Sequence, residues 1–457
     1  MLETFSLKED LLPQRISERI VSGESILSPQ IKMGIFRIAR QMQFEGIQTT
    51  RPSGDISKQI ALVIPYHPLY ELGGLEVGTL NLAHQLKALG QSPVIISKGI
   101  YEDRDLTGKI HLEDGVPVYG IGKGIEDVSH FLLQHQEDFS VVQWMEIFPP
   151  IPETKETYND KAEQQYLTSV LLRALGIKTY LYVATSGNVT NRGVNNENWG
   201  SSAQRQPFNA LLRSSMSGFN TINSQIPGEY ERAGIQIPKD KIVTLPFGVD
   251  TDRFTPVDQE RQMALREMYN LPKDKIIFFY LGRFVQRKRP DLLLNIWNSM
   301  PQEILDRAHL VFIGGAAAKG QPDSIYEEMQ LRLAHATNVS AIDLVPQEKV
   351  HTAIQACDAM VFPSEREGLG VVLLEALSCG KTVFASNIDG VHELIAPLNP
   401  SMLFQPDALE EIREKMIDYV RSKNKHDSVS KDSRNYVISR YGWPAIAAQY
   451  LGFYKRT

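Results

Sequence analysis

The sequence predicts an α/β protein of two lobes, each an open parallel sheet covered by helices. Two observations carry this expectation. Short apolar runs of strand length alternate with stretches of helix length, the pattern of a parallel sheet with crossover helices. The alternation also breaks near Leu245-Pro246-Phe247-Gly248, where turn residues gather, and then begins again. A length of 457 residues suits about three ordinary domains or two larger lobes. Apolar residues make up 42% and charged residues 22%, so a buried core is expected and a disordered chain is excluded.

Residues 1–58 read as a helical extension ahead of the first strand. Ile35, Ile38 and Met42 fall at helical spacing within Ile31 to Phe44. Seven Lys/Arg balance seven Asp/Glu from Met1 to Ser57, whereas a helix lying on a membrane favours a basic polar face. Packing on the body or on a second copy, as a homodimer, is the simplest use. Peripheral membrane contact or acceptor binding is the alternative.

The first lobe, 59–245, opens on the apolar run Ile60–Pro65. A loop ending Gly73-Gly74 leads to a helix with Leu75, Leu82, Leu86 and Leu89 on one face and Gly90 at its end. Further strands are Val94–Ser97, Val116–Tyr119, Val141–Trp144 and Thr179–Ala184, with Pro117 marking an edge or a strand start. A helical stretch, Tyr166–Leu175, stops at Gly176, and a polar loop runs from Ser186 to Pro207. The second lobe, 246–442, has strands at Ile276–Leu281, Leu310–Ile313, Ala359–Phe362 and Val383–Ala385. Helices are expected at Asp291–Ser299, Lys349–Ala356 and Gly370–Cys379. Residues 443–457 form a last helix after Trp443-Pro444, with proline at its first position.

The charge balance of −6 argues against a dedicated nucleic-acid binder. Two cysteines, Cys357 and Cys379, cannot build a disulfide framework or a four-cysteine zinc site, and both sit in apolar surroundings as small hydrophobes. Met1 to Asp10 carries acids and lacks an apolar signal core. No uncharged apolar run approaches about 18 residues. A cytoplasmic protein is the expectation, and the glycosylation triplets at Asn188 and Asn338 are then incidental.

Two segments carry chemistry. In the first, Glu367 and Glu375 bracket a glycine-containing loop and an apolar helix. Gly368 and Gly370 let a ligand approach the backbone, and the helix start offers N–H groups to an anion. Glu375 lies between Leu374 and Ala376, where a lone carboxylate is costly unless something binds it. In the second, Arg283, Arg287, Lys288 and Arg289 crowd one strand-to-helix loop, a set that suits a diphosphate. Gly73-Gly74 is a weaker third candidate.

These motifs resemble the retaining glycosyltransferases of family 4, the superfamily similar to glycogen and sucrose synthases, with the two-lobed GT-B fold. The matching pieces, in the family's order, are Gly73 to Glu76, Phe247 to Asp250 with Phe254, Gly282-Arg283, Lys288, Val345-Pro346, Glu367 to Glu375 and Gly390 to Glu393. The resemblance covers about residues 59 to 457 and is strongest from 241 to 395. It implies two Rossmann-like lobes facing across a donor cleft, with 443–457 crossing back to the first lobe. The implied activity moves a hexosyl unit from a nucleoside diphosphate sugar, a UDP-sugar first, to an acceptor hydroxyl, without metal or cofactor. By resemblance, Arg283 and Lys288 hold the diphosphate. Glu367, Gly368, Leu369 and Gly370 contact the sugar and phosphates. Glu375 takes the ribose hydroxyls, Val345-Pro346 meets the base, and Gly73-Gly74 reach the phosphates. Catalysis would rest on Glu367, Arg283 and Lys288.

One departure concerns the acceptor. Relatives often place a histidine after the first-lobe strand that here continues as Ser186-Gly187-Asn188, so Ser186, Asn188 and Glu146 are the acceptor-side candidates. The alternative function is a non-catalytic subunit with this fold, against which the intact Glu367, Glu375, Arg283 and Lys288 speak. Asp250-Thr-Asp252 imitates a metal-binding signature and reads as a turn and helix start. Gly120-Ile-Gly122-Lys-Gly124 imitates a dinucleotide fingerprint with its third glycine one place early. A glycoside hydrolase would use two carboxylates but not the basic loop.

Overall fold

The computed structural model describes residues 58–68, 74–111, 115–146, 155–183, 212–232, 237–315, 325–342, 345–422 and 427–456. The extension 1–57 and the expectations placed on it lie outside the described residues. The chain divides into two compact units, one running to Leu245 and resuming at Ala447, the other spanning Pro246–Ile446.

The first unit contains β1 (Gln59–Val63), β2 (Pro93–Ser97), β3 (Gly108–His111), β4 (Pro117–Gly120), β5 (Phe139–Trp144), β6 (Lys178–Val183), β7 (Gly218–Thr221) and β8 (Ile242–Thr244). Among the described residues their order is β3-β4-β2-β1-β5-β6-β7-β8. The pairs are parallel apart from β3 with β4. Pro117 starts β4 and is not at an edge, because β3 pairs outside it. The runs β3, β7 and β8 escape a reading for apolar strands because each is only three or four residues long and includes glycine or polar residues. The first helix, Gly74–Ala88, ends before Leu89, which is 42% exposed and so not on the buried face. Gly90 and Gly176 both take positive φ (77° and 88°) just past helix ends, where a side chain would be strained.

Three buried polar side chains of this unit form a chain of hydrogen bonds. The Gln143 amide donates to Asn220, and Asn220 donates to the Tyr450 hydroxyl at 3.0 Å. Tyr450 in turn donates to the Leu245 carbonyl. These bonds offset the desolvation of groups that would otherwise be costly to bury. They also fasten the end of the helix Trp443–Arg456, in which Pro444 is the second residue, not the first.

The second unit holds β9 (Ile276–Arg283), β10 (Ala308–Gly315), β11 (Val339–Ile342), β12 (Ala359–Phe362), β13 (Thr382–Ser386) and β14 (Leu403–Phe404), all parallel. Their order among the described residues is β11-β10-β9-β12-β13-β14. Four of these strands stand where apolar runs predict them. The half-exposed β11 and the two-residue β14 carry too little apolar signal to be read. The expected helices appear as Pro290–Asn298, Val350–Ala356 and Val371–Ser378. The core packs Phe278, Tyr280, Phe284, Trp297 and Phe312 between sheet and helices. Cys357 and Cys379 are free and buried, and burial pushes both thiols up to about 12.

The chain leaves β9 toward β10 and β11, then returns to β12 and continues the other way. The loops after β9 and β12 therefore diverge at a topological switch point, where open α/β sheets leave a crevice at the strands' carboxyl ends. The opposite end is locked electrostatically. Arg266 pairs with Asp358 at 2.7 Å, and both are at least nine-tenths buried. Asp358 also accepts from the Ile277 amide at 2.7 Å, and Arg266 donates to the Ala356 and Lys275 carbonyls. Asp358→Ala should cost about 3–5 kcal/mol, because it leaves a buried guanidinium unpaired. Denaturant unfolding checks this, and a loss under about 1 kcal/mol would contradict it. Among the described residues no helix is long and apolar enough to cross a membrane.

Candidate active site

The loop after β9 turns through a short helical segment, Gln286–Lys288, and Arg289 follows with φ 52°. That backbone turn separates the four cations. Arg289 points to the start of the segment after β14, where it donates to the Pro406 carbonyl and pairs with Asp407 at 2.9 Å. Arg289 thus has an ion pair of its own, separate from the one Lys288 makes with Glu367.

The loop after β12 meets the other cations. The Glu365 amide donates to the Arg287 carbonyl at 2.8 Å, tying the two loops together. The Glu367 carboxylate lies 2.8 Å from the Lys288 ammonium and 3.6 Å from the Arg287 guanidinium. The Ser364 hydroxyl donates to the same oxygen at 3.3 Å. Lys288 also sits over the Phe362 ring, 5.6 Å from its centroid. Burial alone would raise the Glu367 carboxyl, but Lys288 and Arg287, with the Lys288 and Ser364 hydrogen bonds, hold it below the ordinary range. Glu367 is therefore a carboxylate at neutral pH. The Tyr280 hydroxyl donates to the Arg283 carbonyl at 2.9 Å, and Glu367, Arg287 and Arg283 all act on its charge. Tyr280 thus marks one neighbourhood containing Arg283, Arg287 and Glu367.

Gly368, Leu369 and Gly370 complete the loop. Leu369 is buried. Gly370 has φ 80° immediately before the helix Val371–Ser378, so a left-handed turn presents that helix's first N–H groups.

Glu375 lies one turn further along. It is 8% exposed, and among the described residues its carboxylate accepts no hydrogen bond and joins no ion pair. Burial lifts its carboxyl to about 8, with Arg253 acting in the opposite direction. Arg253 donates to the Gln347 carbonyl at 3.1 Å, directly after Val345-Pro346. The second unit therefore brings together Arg283, Lys288 and Glu367, and connects Glu375 with the Val345–Pro346 segment through Arg253.

In the first unit, Gly74 begins the helix after β1 and Glu146 follows β5, the strand next to β1. A Cβ on Gly74 would meet no atom within 4 Å. Gly73, Ser186 and Asn188 lie outside the described residues.

Both sequence imitations have structural explanations. The Asp250 carboxylate accepts from the Asp252 and Arg253 amides at 3.2 and 3.0 Å, so it closes a turn and starts no helix there. The loop around Gly122 is filled by the Asp127 carboxylate, which accepts from the Lys123 amide at 2.6 Å and would clash with any Cβ on Gly122. A phosphate would have to displace that carboxylate.

Sequence reading missed Ser364, Tyr280 and Arg253. Tyr280 and Ser364 flank segments already read as functional, so adjacency could have found them. Arg253 carried only a turn signal, because its proximity to Glu375 comes from residues over a hundred positions apart.

Residues 262–436 match the family model described as "Glycosyl transferases group 1". The D-inositol 3-phosphate glycosyltransferase of Xylanimonas cellulosilytica is 35% identical over 163 residues, 34% of this chain and 37% of that protein. The GDP-mannose-dependent alpha-(1-6)-phosphatidylinositol monomannoside mannosyltransferase of Mycobacterium tuberculosis is 27% identical over 227 residues, 47% of this chain and 56% of that protein. The matches span 37%, 48% and 51% of the length of three such relatives, about half or less. Sucrose-phosphate synthase from Thermosynechococcus elongatus superposes with a TM-score of 0.67 at 18% identity, covering 87% of this chain and 98% of its own. HepE of Anabaena, in complex with UDP, gives 0.65 at 13% identity, covering 88% and 100%. The chain thus has the GT-B architecture of two Rossmann-like parallel-sheet domains, and its residues 262–436 are similar to the group 1 glycosyl transferases.

Proposed function

We propose that this chain is a retaining glycosyltransferase that moves a hexosyl unit from a nucleoside diphosphate sugar to an acceptor hydroxyl without a metal ion. The observation that carries the reading is the Lys288–Glu367–Arg287 cluster at the switch point of the second unit, followed on the same loop and helix by the buried Glu375, whose carboxylate has no hydrogen bond or ion pair among the described residues. Charge develops on the departing diphosphate. Lys288, Arg283 and the N–H groups at Val371 answer it with fixed positive potential, which favours the transition state over the bound donor. In this reading no divalent cation takes part. Glu367 is ionised and paired, so it accepts hydroxyls of the donor sugar and holds Lys288 in place; it does not deliver a proton. The acceptor attacks from the face the diphosphate leaves, and its proton passes to the departing phosphate oxygen, so configuration is kept. Glu375 takes the ribose hydroxyls and the Val345–Pro346 backbone meets the base.

A UDP-sugar is the first donor to test. GDP-mannose is the second, because relatives named for it match this chain. The purified protein is incubated with UDP-, GDP- and ADP-sugars in EDTA, and free nucleoside diphosphate is measured. The anomer of any glycoside formed is read by NMR. Release from one donor in EDTA with retained configuration supports the reading. Dependence on added metal, or an inverted product, contradicts it.

A further inference from the structure

We propose that Arg253 is a donor-positioning residue, which joins the base-side segment Val345–Gln347 to the ribose-side carboxylate Glu375 as one nucleoside-binding unit. The inference rests on the donor reading above and adds a residue and a mechanism to it. Arg253 stands on a turn fixed from both sides. Asp250 caps the turn through the Arg253 amide at 3.0 Å. Arg434 donates to the Thr251 carbonyl at 3.0 Å, to the Phe254 carbonyl at 2.9 Å and to the Ser378 carbonyl at 2.6 Å. The Ser378 hydroxyl adds a bond to the Phe254 carbonyl. Ser378 is the last residue of the helix that carries Glu375, so the turn and that helix are clamped together. From this clamp the guanidinium reaches the Gln347 carbonyl at 3.1 Å. A planar, permanently charged group suits the task, since one side chain can tether a carbonyl and face a carboxyl.

The surroundings leave Glu375 as the group whose charge changes near neutral pH. Arg253 faces it from the turn, and Cys379 from the end of its own helix, with Lys381 and Arg434 beyond. The Cys379 thiol stays protonated, being pushed up to about 12. His351 lies near Arg253, Asp250 and Arg261; burial and then Arg253 lower it, so it remains neutral. A ribose hydroxyl donating to the carboxylate favours its ionised form. Nucleotide affinity should therefore rise with pH and level off above about 8, once Glu375 has lost its proton.

The test is calorimetric titration of UDP, GDP and inorganic pyrophosphate into the wild-type chain, Arg253→Ala and Arg253→Lys between pH 6 and 9. In Arg253→Ala, nucleotide affinity should fall about tenfold to a hundredfold, the loss of one charge-assisted hydrogen bond. Pyrophosphate, which needs only the Lys288 cluster, should stay within about twofold of wild type. The pH at which affinity levels off should move up in Arg253→Ala and return in Arg253→Lys, which restores the charge. A fixed pH profile in both variants overturns the proposal, as does equal weakening of nucleotide and pyrophosphate. If wild type binds neither UDP nor GDP, the donor reading fails and this inference fails with it. If wild type binds and Arg253→Ala matches it, only the inference fails. Should Arg253→Ala melt early, Arg253→Lys carries the comparison, with weaker nucleotide binding and an unmoved profile expected.

Discussion

Lys288→Ala should lower turnover by about 10²–10³, the scale for losing one charge that stabilises a transition state. The ammonium is 2.8 Å from Glu367 and stacked over Phe362, so its position is set before any donor arrives. Fixed charge of this kind costs no reorganisation during the reaction. The substitution also leaves Glu367 with Arg287 at 3.6 Å and the Ser364 hydroxyl at 3.3 Å, and burial would then raise its carboxyl. Thermal melting separates the two effects: a variant that is folded at the assay temperature but slow has lost chemistry, not structure. Turnover within a few-fold of wild type would remove Lys288 from the diphosphate site.

Substitution of Glu375 should have opposite effects on function and stability. Glu375→Ala should raise the donor KM about tenfold or more, with kcat changed only a few-fold, because ribose contacts are shared by ground and transition states. A fall in kcat at constant KM would place the residue in the chemistry. Stability follows from the pKa. Burial raises the folded carboxyl to about 8, above its value in the unfolded chain. The fold therefore keeps a proton that the unfolded chain has released, and stability declines as pH rises across that window. Glu375→Gln removes the decline. Without nucleotide it should melt higher than wild type at pH 8 to 9, by on the order of a few kcal/mol, and match it near pH 4. Equal melting at both pH values would contradict the burial cost. A residue that stabilises the chain when replaced yet weakens donor binding is held for function.

Much of this was legible because α/β folds announce themselves locally. The apolar runs that became β9, β12 and β13 are nearly continuous, as strands buried on both faces must be. Glu367 and Lys288 were legible for a related reason: each lies on a loop directly after such a strand, where open sheets place ligands. Their mutual ion pair was not legible, because it depends on β9 and β12 being neighbours although about eighty residues separate them. That Arg289 pairs apart from the other cations was not legible, because composition treats every cation on a loop alike, whereas Arg289, with φ 52°, pairs with Asp407. Arg253 was passed over because its neighbours Asp250 and Asp252 read as a turn and nothing local names Glu375 or Gln347 as its targets. The strands β11 and β14 owe their pairing to the sheet beside them, not to a pattern of their own.

The most direct measurement is a crystal structure of the chain with UDP and, in parallel, GDP. The account predicts the diphosphate against Lys288, Arg283 and the N–H groups at Val371, with both ribose hydroxyls on Glu375 and the base along Val345–Pro346. A nucleotide bound elsewhere, or bound with Lys288 and Glu375 untouched, would contradict it.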